Sequence, residues 1–137
     1  MKVDEVPQDP GSCLGGHEKL NYAVDAQGRY TGVPTIGWEA EISATEVGTR
    51  ATAAAITAAW SAARAGSTSP LGYHMAVAQM DPAQLAMDCG TWAWRVRWHL
   101  RPGSFAALSP AQLARYADAL GITPEALCTL PDAPDLP

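Results

Sequence analysis

Residues 80–127 read MDPAQLAMDCGTWAWRVRWHLRPGSFAALSPAQLARYADALGITPEAL, and this stretch decides the fold. It is punctuated as a succession of short helices. Asp81-Pro82, Ser109-Pro110 and Thr123-Pro124 are start signals: a capping side chain followed by a proline whose missing N–H costs nothing in the first turn. Gly90 and Gly121 are the matching stops. Between them lie Leu85, Ala86 and Cys89, then Leu113, Ala117 and Leu120, at the spacing of an inward helical stripe. The centre of the stretch is residues 91–101, TWAWRVRWHLR, with Thr91 as its cap and Pro102-Gly103 as its end. On a helix Trp92, Val96, His99 and Leu100 point inward. Trp94 and Trp98 then point outward, flanked by Arg95, Arg97 and Arg101.

Working outward, Ser69-Pro70 opens one more helix of the same kind, with Leu71, Met75 and Ala78 inward. Upstream, Ser43-Ala44-Thr45-Glu46 has the form of a capping box, so a helix is expected from there to about residue 65, ending at Gly66. Val47, Ala51, Ala54, Ala55, Ala58 and Ala62 form a small-residue stripe on it, and Ile56 with Trp60 a second, roughly opposite one. A helix apolar on two sides is deeply buried or shared with a partner, so self-association through residues 44–65 stands beside internal packing. Residues 20–33 predict a β-hairpin. Leu20, Tyr22 and Val24 form its buried face, and Asp25-Ala26-Gln27-Gly28 its turn. Residues 34–42 continue extended, with Trp38 plugging into the helical part. Residues 1–19, broken by Pro7, Pro10, Gly11, Gly15 and Gly16, form an extended arm, and residues 131–137 a loose tail.

The expected fold is therefore mainly α: a bundle of about five short helices, an N-terminal β-hairpin and one long Ala-rich helix. The expected organisation is an N-terminal extension over 1–68, a helical domain over 69–130 and the tail. A length of 137 residues can bury a core without staples. The net charge of -5 argues against unspecific nucleic-acid or membrane binding, although a local basic face remains open. Three cysteines, Cys13, Cys89 and Cys128, lie too far apart in sequence for a secreted disulfide framework. No leader-like or membrane-length apolar run is present, so a cytoplasmic protein with free thiols is expected.

The order of elements in residues 70–130 resembles the Cro/Xre-type helix-turn-helix family of phage repressors. Leu85, Ala86 and Gly90 match that family's first helix and turn. Val96 falls on the buried position of its recognition helix. Leu113, Ala117, Leu120, Gly121, Ile122 and Leu127 match its closing element. The resemblance implies a helix-turn-helix-like domain, and dimeric DNA binding with 91–101 as recognition helix. Where the family offers Gln, Ser, Thr, Asn or Arg to base edges, this chain has Ala93, Trp94, Arg95, Arg97 and Trp98, and the indoles suit a groove poorly, so the reading function is expected to be altered or lost.

Two constellations carry chemistry. Trp94 and Trp98 with Arg95, Arg97 and Arg101 are the residue types that dominate protein–protein contacts, and the leading expectation is a small protein-interaction module, a regulatory or accessory subunit. The alternative assigns the same five residues to DNA. Cys13 and His17, a C-x3-H pair, are weak candidates for a metal or cofactor contact, and no cofactor is expected. No paired carboxylates, catalytic triad or phosphate loop is found, so no enzyme activity is expected of this chain.

Overall fold

The chain runs through a 3-10 turn at Val3–Glu5, strands β1 (Lys19–Val24) and β2 (Tyr30–Thr35), and then seven α-helices among the described residues: α1 (Glu39–Arg64), α2 (Pro70–Val77), α3 (Pro82–Cys89), α4 (Ala93–His99), α5 (Pro102–Ala106), α6 (Pro110–Leu120) and α7 (Pro124–Leu127). The computed structural model describes residues 1–8 and 17–137. The protein is mainly α, with an antiparallel two-stranded hairpin and one long helix. It divides into two units, Met1–Arg50 and Ala51–Pro137, the boundary falling inside α1.

In Met1–Arg50 the hairpin turn forms where the sequence places it. The Gly28 N–H donates to the Asp25 carbonyl at 3.0 Å, and Gly28 has φ +79. Asp25 Oδ1 accepts the backbone N–H groups of Gln27 and Arg29, each at 2.9 Å. The Arg29 N–H holds the Asp25 carboxyl below its ordinary value, against partial desolvation and with help from the Gln27 N–H.

The hairpin's faces are the reverse of the expected ones. Leu20 and Tyr22 are exposed, while Ala23 and Thr35, on the opposite face, are buried. The cause is the start of the chain. Lys2 bridges to Val24 and Gln8 to Gly37, both in parallel, so residues 1–8 cross the hairpin from the edge of β1 to just beyond β2. Val6 is buried in this strap, and Thr35 Oγ1 donates to the Pro7 carbonyl. A backbone can lie close over Ala23, whereas it could not over a tyrosine.

Two more expectations change here. Residues 39–42 are helical rather than extended: the Ile42 N–H already donates to the Trp38 carbonyl at 2.9 Å. The capping box at Ser43 is not used, because Ser43 lies inside α1. Thr45 Oγ1 donates instead to the Glu41 carbonyl at 2.8 Å, the back-bonding of a helix interior. Trp38 is exposed and plugs no core.

In Ala51–Pro137 the helices close around Leu71, Met75, Leu85, Ala86, Val96, Phe105, Leu108, Tyr116, Ala117 and Leu127. The boundaries are set locally. Asp81 and Ser109 each accept the N–H of the third helical residue, Gln84 and Gln112, whose amides return a bond to the cap backbone. Thr123 caps α7 in the same way through the Ala126 N–H. Gly90 and Gly121 stand at φ +64 and +69, the left-handed conformation that ends α3 and α6. Ser69 precedes α2 but does not cap it. It is fully buried, its N–H donating to the Leu100 carbonyl at 2.7 Å and its Oγ to the His99 carbonyl at 2.8 Å. It therefore ties the start of α2 to the end of α4.

Helix α5 was absent from the expectation of five short helices. Pro102 ends α4 and at the same time occupies the first turn of α5, which delivers Phe105 and then Leu108 to the core. The two-sided reading of α1 also resolves. Ile56 and Ala63 are buried against Tyr73, with Trp60 and Leu130 packed alongside. The opposite stripe, Ala51, Ala54, Ala55 and Ala58, is exposed. The tail is not loose. Trp60 Nε1 donates to the Pro131 carbonyl at 3.0 Å, Arg64 to the Asp132 carbonyl at 3.3 Å, and the Asp135 N–H to the Tyr73 hydroxyl at 3.1 Å.

Candidate functional site

Helix α4 follows the left-handed turn at Gly90 and buries one side chain completely, Val96. Around that anchor the other residues sort by the 100° step of a helix into two solvent-facing sides. Trp94, Arg97 and Trp98 fall on one, and Arg101, an extended residue past the end of α4, joins them through its contact with the Trp98 ring. Arg95 and His99, one turn apart, fall on the other. Sequence reasoning grouped all five Trp and Arg residues together, and the structure separates Arg95 from the rest.

On the first side Trp94 is 63% and Trp98 51% exposed. The Arg101 guanidinium lies over the Trp98 ring, 4.4 Å from its centroid. A cation–π pair of this kind is worth about 0.5–1 kcal/mol at an exposed site and more when water is excluded. Trp92 was expected inward with Val96 and is 69% exposed. It is the N-cap of α4, with extended φ -102 and ψ 142, so the helical wheel does not apply to it. Thr91, expected as that cap, lies one residue too early.

On the second side α4 faces α6 across a cleft of about 50 Å³, lined by Cys89, Thr91, Arg95, His99, Gln112, Arg115 and Tyr116. His99 Nδ1 and the Tyr116 hydroxyl are 2.8 Å apart and their rings meet edge to face. Burial, with the Arg95 charge adding to it, lowers the His99 pKa. Burial and the neighbouring Cys89 push the Tyr116 hydroxyl up to about 12, so it stays protonated at neutral pH. The Cys89 thiol donates to the Arg115 carbonyl at 3.5 Å. Burial first, and then the Asp88 charge, raise its pKa, with Arg115 opposing, which makes it a poor nucleophile.

From the sequence, Cys89 and His99 were expected as plain core positions, and Gln112, Arg115 and Tyr116 were not singled out. One signal was available: residues 89–117 hold Arg95, Arg97, Arg101 and Arg115 and no carboxylate, within a chain of net charge -5. Of the weak metal candidates, Cys13 lies outside the described residues and His17 is exposed. Among the described residues no group of three or more His, Cys, Asp or Glu side chains is placed to hold a metal. Nor is any described helix long and apolar enough to cross a membrane.

No family model, no curated protein and no solved structure matches this chain.

Proposed function

We propose that this chain is a small cytoplasmic protein-interaction module, a regulatory or accessory subunit that docks a partner protein on the α4 face made by Trp94, Arg97, Trp98 and Arg101. The observation that carries the reading is the pair of indoles, 63% and 51% exposed on one helical face and not folded into their own core. Burying an exposed indole removes a large apolar area from water, and the stacked Arg101 supplies a charge fixed in place beside it. The exposed alanine stripe of α1 is a further surface through which two copies of the chain could meet. The direct test places a photo-crosslinking amino acid at position 94 in the producing cells. The expected result is one discrete heterologous adduct that disappears when Trp98 is changed to Ala. Adducts indifferent to that change, or none, would sink the reading.

A second reading is favoured by the local charge. Four arginines without a carboxylate over residues 89–117 suit a polyanion, and α3, the Gly90 turn and α4 follow in the order that resembles a Cro/Xre-type helix-turn-helix. In this reading the protein is a DNA-binding regulator. Binding to duplex fragments would then weaken steeply with salt, and Arg97→Ala would reduce the salt slope by about one. The absence of any enriched fragment at low salt would remove it.

A further inference from the structure

We propose that the cleft between α4 and α6 is a binding site for a phosphate group, held by the guanidinium groups of Arg95 and Arg115. This site is separate from the indole face and does not depend on the partner reading.

Three features of the cleft carry the inference. The first is charge. Arg95 and Arg115 both line it, and neither forms an ion pair among the described residues. The cleft lining contains no carboxylate. Two acids stand outside its wall: Asp88, whose charge is felt at Cys89, and Asp118, which borders Arg115 on the other side of α6, and neither forms an ion pair. Two arginines lining one concave surface whose wall holds no carboxylate attract an anion, and their planar forks match its oxygens.

The second is the supply of neutral donors. Gln112 spends its Oε1 on the Ser109 N–H at 3.0 Å, which leaves its amide N–H groups for the cleft. Thr91 brings a hydroxyl from the α3–α4 turn. When the Tyr116 hydroxyl donates to His99 Nδ1, the neutral imidazole carries its proton on Nε2 and can donate it. The third is geometry. These donors come from the turn, from α4 and from α6, and so from several directions. That suits a tetrahedral anion of two negative charges better than a flat, singly charged carboxylate. A volume of about 50 Å³ has room for one such group.

The group could arrive as free phosphate or as the phosphate of a small monoester, and both are tested on the full chain. Inorganic phosphate and O-phosphoserine are titrated separately at constant ionic strength, with acetate as control, while backbone amide resonances are followed by NMR. Saturable shifts at Thr91, Arg95, Gln112 and Arg115 are expected. The tighter of the two ligands identifies the source. Arg95→Gln and Arg115→Gln should each weaken binding at least about tenfold, as loss of one charge-assisted contact does. Arg95→Lys and Arg115→Lys should restore part of it, and Arg97→Gln, outside the cleft, should leave it unchanged. Both arginines are exposed, so unchanged circular dichroism is expected for every variant. Shifts that fail to saturate with either ligand would overturn the proposal. So would acetate binding as tightly as phosphate, or an equal loss in Arg97→Gln, which would reveal a diffuse field and no site.

Discussion

The two units of this chain are built on different principles. In Ala51–Pro137 ten residues form one buried apolar cluster, and the helices that carry them are bounded by caps and left-handed glycines. In Met1–Arg50 the buried residues among those described are few and small, Val6, Ala23 and Thr35 among them, while Leu20, Tyr22, Tyr30, Ile36 and Trp38 are exposed. That unit is held largely by hydrogen bonds: the hairpin ladder, the two parallel bridges of the strap, and Gln8, whose Nε2 donates to the Pro34 carbonyl at 2.7 Å while its Oε1 accepts the Ile36 N–H at 3.3 Å. A hydrogen bond exchanged for one to water contributes only about 0.5–1.5 kcal/mol net, whereas a fully buried Leu contributes about 1.5–3 kcal/mol by area alone. The lesson is that a regular hairpin with a well-made turn can still be the weaker part of a protein.

The contrast can be broken or sharpened by substitution. The largest effect is expected at Leu85, which is fully buried. Leu85→Ala should cost about 2–5 kcal/mol, because a cavity opens at the meeting of α3, α4 and α6. Urea unfolding followed by circular dichroism measures it, and a loss below 1 kcal/mol would show that the helical core is not the stabilising centre. Next comes the α6 cap. Ser109→Ala removes the acceptor for the Gln112 N–H and should cost about 1 kcal/mol, read in the same way.

An effect of similar size belongs to the strap. Thr35→Val removes the hydroxyl that donates to the Pro7 carbonyl, at a cost of about 1 kcal/mol. Amide hydrogen exchange should show faster exchange in β2 with α3 and α6 unaffected. Slowed or unchanged exchange in β2 would mean that the strap does not hold the hairpin.

The smallest effect is that of pH. The folded-state pKa of His99 is lowered, so the unfolded chain binds more protons once pH falls through the ordinary histidine value. Stability should therefore decline as pH drops below about 6.5 and level off below the folded value. Melting of the wild type against His99→Gln between pH 7 and pH 5 isolates this contribution. A wild-type decline no larger than the variant's would remove it.

What could be read from the chain followed the same divide. The ends of α3, α6 and α7 were legible because each depends on two or three adjacent residues, an Asp, Ser or Thr before a Pro and, for the first two, a Gly after. The stop of α1 at Gly66 and the Asp25–Gly28 turn were legible for the same reason. Helix α5 was missed because Pro102 has two local meanings, the end of one helix and the first turn of the next. The hairpin face was misread because alternation marks both faces and says nothing of which one the strap covers. Of the candidate sites, the outward position of Trp94 and Trp98 was legible from Val96 and the helical step. The cleft was not, because Arg95 and Arg115 are twenty positions apart in sequence and come to line one cleft only when α4 and α6 both pack on α3.

The sequence by itself thus determined the helical class, most helix boundaries and the exposed indole pair, since these follow from propensity, capping and periodicity over a few residues. Only the tertiary structure decided which stripe of α1 is buried, which hairpin face the N-terminal strap covers, how Trp60, Arg64 and Tyr73 hold the last residues, and that Arg95 and Arg115 share a cleft. Each of these is a choice between local alternatives of similar energy, and it is made by the partner that arrives from far along the chain.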